Sequence, residues 1–252
     1  MVYFVGAGPG APDLITVRGR ELLEQADLVI WAGSLVNPAL LDYCRADCER
    51  RDSAGLTLEQ VLERMIPAAR TGRRVVRLHT GDPSLYGAVR EQIDALEAAG
   101  VPWEVVPGVS SFSAAAAALG AEYTLPGVSQ SLIITRAPGR TPVPAGQGIA
   151  ELAAHGSSMA VFLSAGLLGE VTRELLAGGV APGCPAAIVC KASWPEERVV
   201  RTTVAGLEAA ARREGITRTA LILVGGFLGE DYERSRLYHP GFSHGFRQGE
   251  QA

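Results

Sequence analysis

The run Met1–Val5 (MVYFV) passes directly into Gly6-Ala7-Gly8-Pro9-Gly10-Ala11-Pro12, and the same event recurs along the first half of the chain. Arg74–Leu78 leads into His79-Thr80-Gly81-Asp82-Pro83, and Trp103–Val106 leads into Pro107-Gly108. Short β-branched or aromatic segments closed by glycine and proline read as buried strands. Amphipathic stretches stand between them. Thr16–Asp27 predicts a helix with Thr16 as N-cap, and Thr57–Thr71 another, with Leu58, Val61, Leu62, Met65 and Ile66 at helical spacing and Gly72 as C-cap. Leu28–Ala32 predicts a second strand, Pro38–Cys44 a helical segment, Tyr86–Ala99 a helix stopped by Gly100, and Ser111–Leu119 an alanine-rich helix. Strand, loop and helix in repeated order imply mostly parallel strands joined by helical crossovers.

After Gly120 a second series begins. Leu132–Thr135, Met159–Leu163, Ala186–Cys190 and Ala220–Val224 predict strands, Leu167–Leu176 and Val204–Arg213 predict helices, and residues 136–148 predict a Pro/Gly-rich loop. The expected organisation is therefore α/β in two domains, residues 1–118 and 119–240, followed by a loose polar tail over 241–252. A length of 252 residues with 47% hydrophobic and only 6% aromatic content suits small side chains packed on sheets.

Charge and cysteine usage narrow the function. A formal net charge of -4 provides no positive field to hold a nucleic-acid backbone. No apolar run reaches the roughly 18 to 20 residues needed to cross a bilayer. Asp13, Arg18 and Arg20 close behind the first strand mark it as a buried strand and not a signal peptide. Cys44, Cys48, Cys184 and Cys190 contain no CxxC pair, so reduced thiols, a cytoplasmic location and no metal are expected.

Gly6, Gly8 and Ala11 satisfy the G-x-G-x-x-G/A spacing of a dinucleotide-binding turn. Two features oppose that reading. Pro9 removes a backbone donor and Pro12 restricts Ala11, so the helix starts late for a phosphate. The second strand ends Ile30-Trp31-Ala32-Gly33, without an acid for a ribose hydroxyl. No G-x-x-x-x-G-K-[ST] run exists, and the only lysine is Lys191. Ser34, Ser84, Ser110 and Ser111 lie in no G-x-S-x-G elbow. Three glycine turns at strand ends, with one carboxylate and little positive charge, suit a neutral or zwitterionic ligand better than a pyrophosphate.

Val5 to Gly10 with Asp13-Leu14-Ile15-Thr16, then Gly81-Asp82-Pro83 and Pro107-Gly108-Val109-Ser110-Ser111, resemble the tetrapyrrole methylase family. Ala192-Ser193-Trp194-Pro195-Glu196-Glu197 with Arg201-Thr202-Thr203, Leu78 to Ser84, and the tail Tyr232 to Arg247 resemble the branch that methylates precorrin-4 at C11. The resemblance implies two α/β domains with S-adenosylmethionine in the cleft between them, and a homodimer. It also implies a tetrapyrrole substrate and S-adenosylhomocysteine as product. Carried over by motif, the implied cofactor contacts are Pro9, Gly81, Asp82, Ser110, Ser111, Ser164, Ala192 and Ala220. Arg234, Arg236 and Arg247 in the tail are implied candidates for the substrate carboxylates. His79 is the one neutral-pH titrator beside these turns and a candidate for proton transfer, against the commoner role of a buried, hydrogen-bonded histidine. Methylation at another corrin carbon, a nicotinamide-dependent dehydrogenase and a non-catalytic binding scaffold are the competing readings.

Overall fold

A computed structural model describes residues 1–249, which fall into two compact units. The first holds Met1–Ala118 and also Lys191–Arg198, a segment that sequence order counts with the second half.

The first unit is built on a five-stranded sheet of β1 (Val2–Gly6), β2 (Leu28–Trp31), β3 (Glu49–Asp52), β4 (Val75–His79) and β5 (Trp103–Val106). The order is β3-β2-β4-β1-β5 and every pairing is parallel. Alternate residues feed two cores. Val5, Val29, Val76, Leu78 and Val106 face Leu23 of α1 (Val17–Glu24). Val2, Phe4, Leu28, Ile30 and Val75 face Met65 of α2 (Leu58–Arg70) and Leu96 of α3 (Arg90–Ala98). Each fully buried aliphatic side chain contributes roughly 1.5–3 kcal/mol, so the sheet is held from both sides.

Local chemistry sets the helix ends. Thr16 accepts from the Gly19 N–H, as expected of an N-cap. Thr57 and Gln60 form a reciprocal capping box at the start of α2, and Gly72 adopts φ +85° just beyond its end. The helix expected over Tyr86–Ala99 begins only at Arg90, because Tyr86 (φ 56°) and Ala88 (φ 47°) take left-handed conformations that break it. Pro38–Tyr43 is a 3-10 helix capped by Asn37. β3 was not anticipated. Its sequence Glu-Arg-Arg-Asp has no apolar alternation, since it forms the exposed edge and pairs only with β2.

The second unit contains β6 (Leu132–Arg136), β7 (Ser158–Phe162), β8 (Pro185–Cys190), β9 (Arg198–Thr203) and β10 (Ala220–Val224), in the order β6-β7-β10-β8-β9. Unlike the first sheet, which is parallel as expected, this one is mixed. β6 and β7 are parallel, but β10 runs antiparallel to both β7 and β8. The half-exposed β9 and the short α5 (Ile149–Ala153) were also missed. α6 (Leu168–Ala177) and α7 (Leu207–Arg213) pack Val171, Leu175 and Leu207 against Met159, Val161, Ile188 and Ile222.

Hydrogen bonds run through the described part of the tail expected over 241–252. The Arg247 guanidinium donates to the carbonyls of Leu237, His239 and Phe242 at 2.8, 2.8 and 3.2 Å. Residues 250–252 of that expected tail lie outside the described residues. Among the described residues no helix is long and apolar enough to cross a membrane.

Thr57→Ala removes the oxygen that holds the Gln60 N–H and disrupts the reciprocal bond. Urea denaturation is expected to show a loss of about 1 kcal/mol with an unchanged m-value.

Candidate functional site

In the first unit three loops leave the carboxyl ends of β1, β4 and β5, which are adjacent in the sheet with β1 at the centre. Parallel strands bring such loops to one edge. Backbone contacts join them there. Gly8 and Gly81 exchange hydrogen bonds of 3.2 and 2.8 Å, and the Ala7 N–H donates to the His79 carbonyl at 2.7 Å. The approach is too close for side chains. A Cβ on Gly6 would stand 2.5 Å from the Gly108 Cα, and one on Gly108 would stand 2.2 Å from the Gly81 carbonyl oxygen. Gly8 and Gly81 also take positive φ, +76° and +61°.

Asp82 ties two of these loops together. One carboxylate oxygen accepts from the Ser84 N–H (2.8 Å) and the Ser84 hydroxyl, and the other from the Gly108 N–H at 2.8 Å. Partial burial raises the carboxyl's affinity for a proton. The bonds from the Ser84 hydroxyl and the two backbone N–H groups outweigh it, so the group lies below the usual carboxylate range. Ser110 and Ser111 follow at the start of α4 (Ser111–Leu119), where the Ser110 carbonyl accepts from the Ser113 N–H at 3.1 Å.

Pro9, Gly81, Asp82, Ser110 and Ser111 therefore sit on one set of linked loops. Ala192 belongs to the first unit as well, through the Lys191–Arg198 segment. Two neighbours of Ala192 touch the first glycine loop. The Trp194 indole N–H donates to the Pro9 carbonyl at 2.9 Å, and the Ser193 hydroxyl accepts from the Ala11 N–H at 3.0 Å. Buried Asn37 adds a bond from its amide to the Gly10 carbonyl at 2.9 Å. Asn37 carries no motif signal, and nothing in the sequence assigns Ser193 or Trp194 to this loop. Trp194 and Ser193 stood in a quoted motif, but no spacing rule reports a contact across 185 residues.

Ser164 and Ala220 lie in the second unit, at the end of its sheet where β7 finishes and antiparallel β10 begins. The fully buried Ser164 hydroxyl accepts from the Ala137 N–H at 2.8 Å and donates to the Phe162 carbonyl at 2.6 Å, which fixes the turn after β7. Ala220 pairs with Cys190, the last residue of β8. Arg234 and Arg236 are exposed in the tail, whereas Arg247 is engaged by tail carbonyls.

His79 ends β4 on the side that faces α3, its ring tilted against Phe4 at 5.9 Å. Its Nε2 is buried without a hydrogen-bond partner. Burial, assisted by the Arg77 cation, pushes the imidazole down to about 3. Arg77 is itself pushed down to about 10 by burial, and its guanidinium bonds Ser53, Gln92 and the Ile30 carbonyl. A base this weak has little drive to take a proton at neutral pH.

The loop residues 6–12, 80–85 and 107–111 contain no lysine or arginine. At the end of β2, where a dinucleotide fold places its acid, the neighbouring Asp52 is already held by the N–H groups of Gly33 and Ala54, each at 2.8 Å. The surface is one of backbone donors and acceptors, which fits a zwitterionic adenosyl sulfonium better than a pyrophosphate. Among the described residues no group of three or more His, Cys, Asp or Glu is placed to hold a metal ion.

This fold and loop set define a class. Residues 1–208 match the family described as Tetrapyrrole (Corrin/Porphyrin) Methylases, and the chain belongs to it. Among individual relatives, it is 48% identical over 248 residues to a cobalt-precorrin-4 C(11)-methyltransferase of Methanocaldococcus jannaschii, covering 98% of this chain and 96% of that one. It is 46% identical over 250 residues to a precorrin-4 C(11)-methyltransferase of Pseudomonas aeruginosa, covering 99% of each. The X-ray structure of the cobalt precorrin-4 methyltransferase CbiF superposes with a TM-score of 0.89 at 47% identity, over 91% of this chain and 96% of that one. Uroporphyrin-III C-methyltransferase of Thermus thermophilus, solved with S-adenosylhomocysteine, matches with a TM-score of 0.74 at 31% identity, over 90% of this chain and 98% of that one.

Two outcomes follow from the site. Asp82→Asn leaves one oxygen where two now accept, so either Ser84 or the Gly108 N–H faces a donor, and is expected to cost about 1–2 kcal/mol in denaturant unfolding and to weaken S-adenosylhomocysteine binding in calorimetry. For His79, the unfolded imidazole takes up a proton near pH 6.5 and the folded one only near 3. The unfolded state therefore binds more protons between those values, and stability falls as pH drops from about 6.5, by at most about 1.4 kcal/mol per pH unit. His79→Leu should flatten the stability profile between about pH 6.5 and 4.5, measured by urea midpoints at stepped pH.

Proposed function

We propose that this chain transfers the methyl group of S-adenosylmethionine to C11 of precorrin-4, metal-free or cobalt-bearing, and releases S-adenosylhomocysteine. The reading rests on near-full-length identity of 46–48% to proteins named for that reaction. A glycine-turn surface without cationic side chains agrees with it. Pro9, Gly81, Asp82, Ser110, Ser111 and Ala192 are the proposed cofactor contacts in the first unit, and Ser164 and Ala220 in the second. Arg234 and Arg236 are proposed to meet the substrate carboxylates. A cytoplasmic homodimer completes the proposal.

When bound, the cofactor supplies an already electrophilic sulfonium methyl. The acceptor is a ring carbon made electron-rich by its pyrrole nitrogen. The protein's part is to hold the two in line, so the loops contribute mainly orientation. Asp82 keeps the Gly81 and Gly108 turns in register, and neutral His79 needs no role in proton transfer. Methylation at a different corrin carbon, the main competing reading, finds less support because the relatives at 46–48% identity carry the C11 name.

Incubation with methyl-labelled S-adenosylmethionine and precorrin-4, in metal-free and cobalt forms, is expected to place label at C11 by NMR in a single turnover. Calorimetry should show S-adenosylhomocysteine binding and none of NAD at matched concentrations. Label at another carbon would overturn the regiochemistry, and comparable NAD binding would overturn the cofactor.

A further inference from the structure

The Lys191–Arg198 segment is constrained well beyond what a surface connection needs. Lys191 (φ 50°) and Ser193 (φ 67°) both take left-handed conformations, which are strained for a non-glycine residue. Hydrogen bonds inside the segment hold them there. The Ser193 N–H donates to a Glu197 carboxylate oxygen at 2.6 Å, the Trp194 N–H to the Lys191 carbonyl at 3.0 Å, and the Glu197 N–H to the Trp194 carbonyl at 3.0 Å. The Lys191 ammonium pairs with Glu196 at 3.3 Å and stands over the Trp194 ring at 5.2 Å.

This shape delivers Trp194 and Ser193 to the loop between β1 and α1. Their bonds to Pro9 and Ala11 bracket Gly10. Gly10 does not occupy the left-handed region, so its need for glycine is steric: a Cβ there would lie 2.0 Å from the indole Cδ1. The indole therefore lies against the bare backbone of Gly10. A loop with glycine at 6, 8 and 10 has much conformational freedom when unrestrained, and ordering it on binding costs entropy. Two hydrogen bonds and a ring contact remove that freedom in advance.

We infer that Trp194 is a positioning residue, which holds Pro9 to Ala11 in one conformation and thereby sets the affinity of the glycine loop for an adenosyl sulfonium or its thioether product. The inference rests on the cofactor reading proposed above. Its action is on binding. The rate of methyl transfer with both ligands saturating is untouched, because Trp194 acts through the loop.

The test measures S-adenosylhomocysteine binding by calorimetry for the full-length chain, well below each variant's melting temperature. It also measures KM and single-turnover rate with S-adenosylmethionine. Trp194→Phe keeps the ring and loses the indole N–H; its Kd is expected to rise about 5–10-fold, and KM for S-adenosylmethionine to rise with it. The saturated single-turnover rate should stay within about threefold of wild type. Gly10→Ala should weaken binding more than tenfold, since it drives a methyl into the indole. In the Trp194→Ala background the same change should alter Kd less than about twofold, because the obstructing ring is gone. A merely structural tryptophan would lower the melting temperature without this split or this rescue. Equal Kd in wild type, Trp194→Phe and Trp194→Ala would overturn the inference and leave the cofactor reading intact. Absence of S-adenosylhomocysteine binding to the wild-type protein would overturn both. Should Trp194→Ala fail to fold, Trp194→Phe and Ser193→Ala, which removes the acceptor of the Ala11 N–H, carry the same comparison.

Discussion

Backbone meets backbone at the edge of the first sheet, and the rest of that edge depends on it. Gly6 and Gly108 stand so close, to each other and to the Gly81 carbonyl, that neither can carry a side chain, and the Asp82 carboxylate bridges two of those turns through the Gly108 N–H. Glycine there removes steric bulk, and the carboxylate supplies a directed, charge-assisted bond that glycine itself cannot make. The consequence is a surface made of peptide groups, whose shape is fixed by the sheet beneath and not by side-chain rotamers. Such a surface recognises a ligand by hydrogen-bond geometry, and the Asp82 carboxylate is its one charged group.

Much of the first unit was legible because its central strands are buried on both faces and run into glycine-bearing turns. Trp103–Val106 and Ser111–Leu119 were placed at their observed limits, and Thr16 and Thr57 serve as the caps their position implied. What was missed shares one physical cause. β3 and β9 are edge strands with exposed, charged or mixed sequences, and periodicity reports burial, not hydrogen bonding. The antiparallel course of β10 was hidden for a related reason: a fully buried central strand carries the same apolar run whichever way it points. Tyr86 to Val89 failed as a helix because left-handed backbone at a non-glycine residue leaves no compositional trace.

The site divides in the same way. Glycine turns announce themselves, so Gly81, Asp82 and the Pro107-Gly108 turn could be read from composition and order. Residues that act from a distance could not. Asn37 reaches the Gly10 carbonyl from a 3-10 helix, and Trp194 reaches Pro9 from the far half of the chain, each by one hydrogen bond that only the fold creates. His79 was legible as a titratable group near the turns, yet its character is set by burial beside Phe4 and Arg77, which sequence order does not display.

The knot that Arg247 makes with three tail carbonyls bears on how the chain meets proteases. A trypsin-like enzyme needs an arginine whose side chain can swing into a deep acidic pocket while the flanking backbone is drawn out straight. Arg247 offers neither, because its guanidinium is turned back onto Leu237, His239 and Phe242, and its own backbone is paired with His244. Arg234 and Arg236 have exposed side chains, although the Arg236 carbonyl accepts from the His239 N–H at 2.9 Å. A basic-specific protease therefore meets more accessible side chains at Arg234 and Arg236, upstream of the knot, than at Arg247.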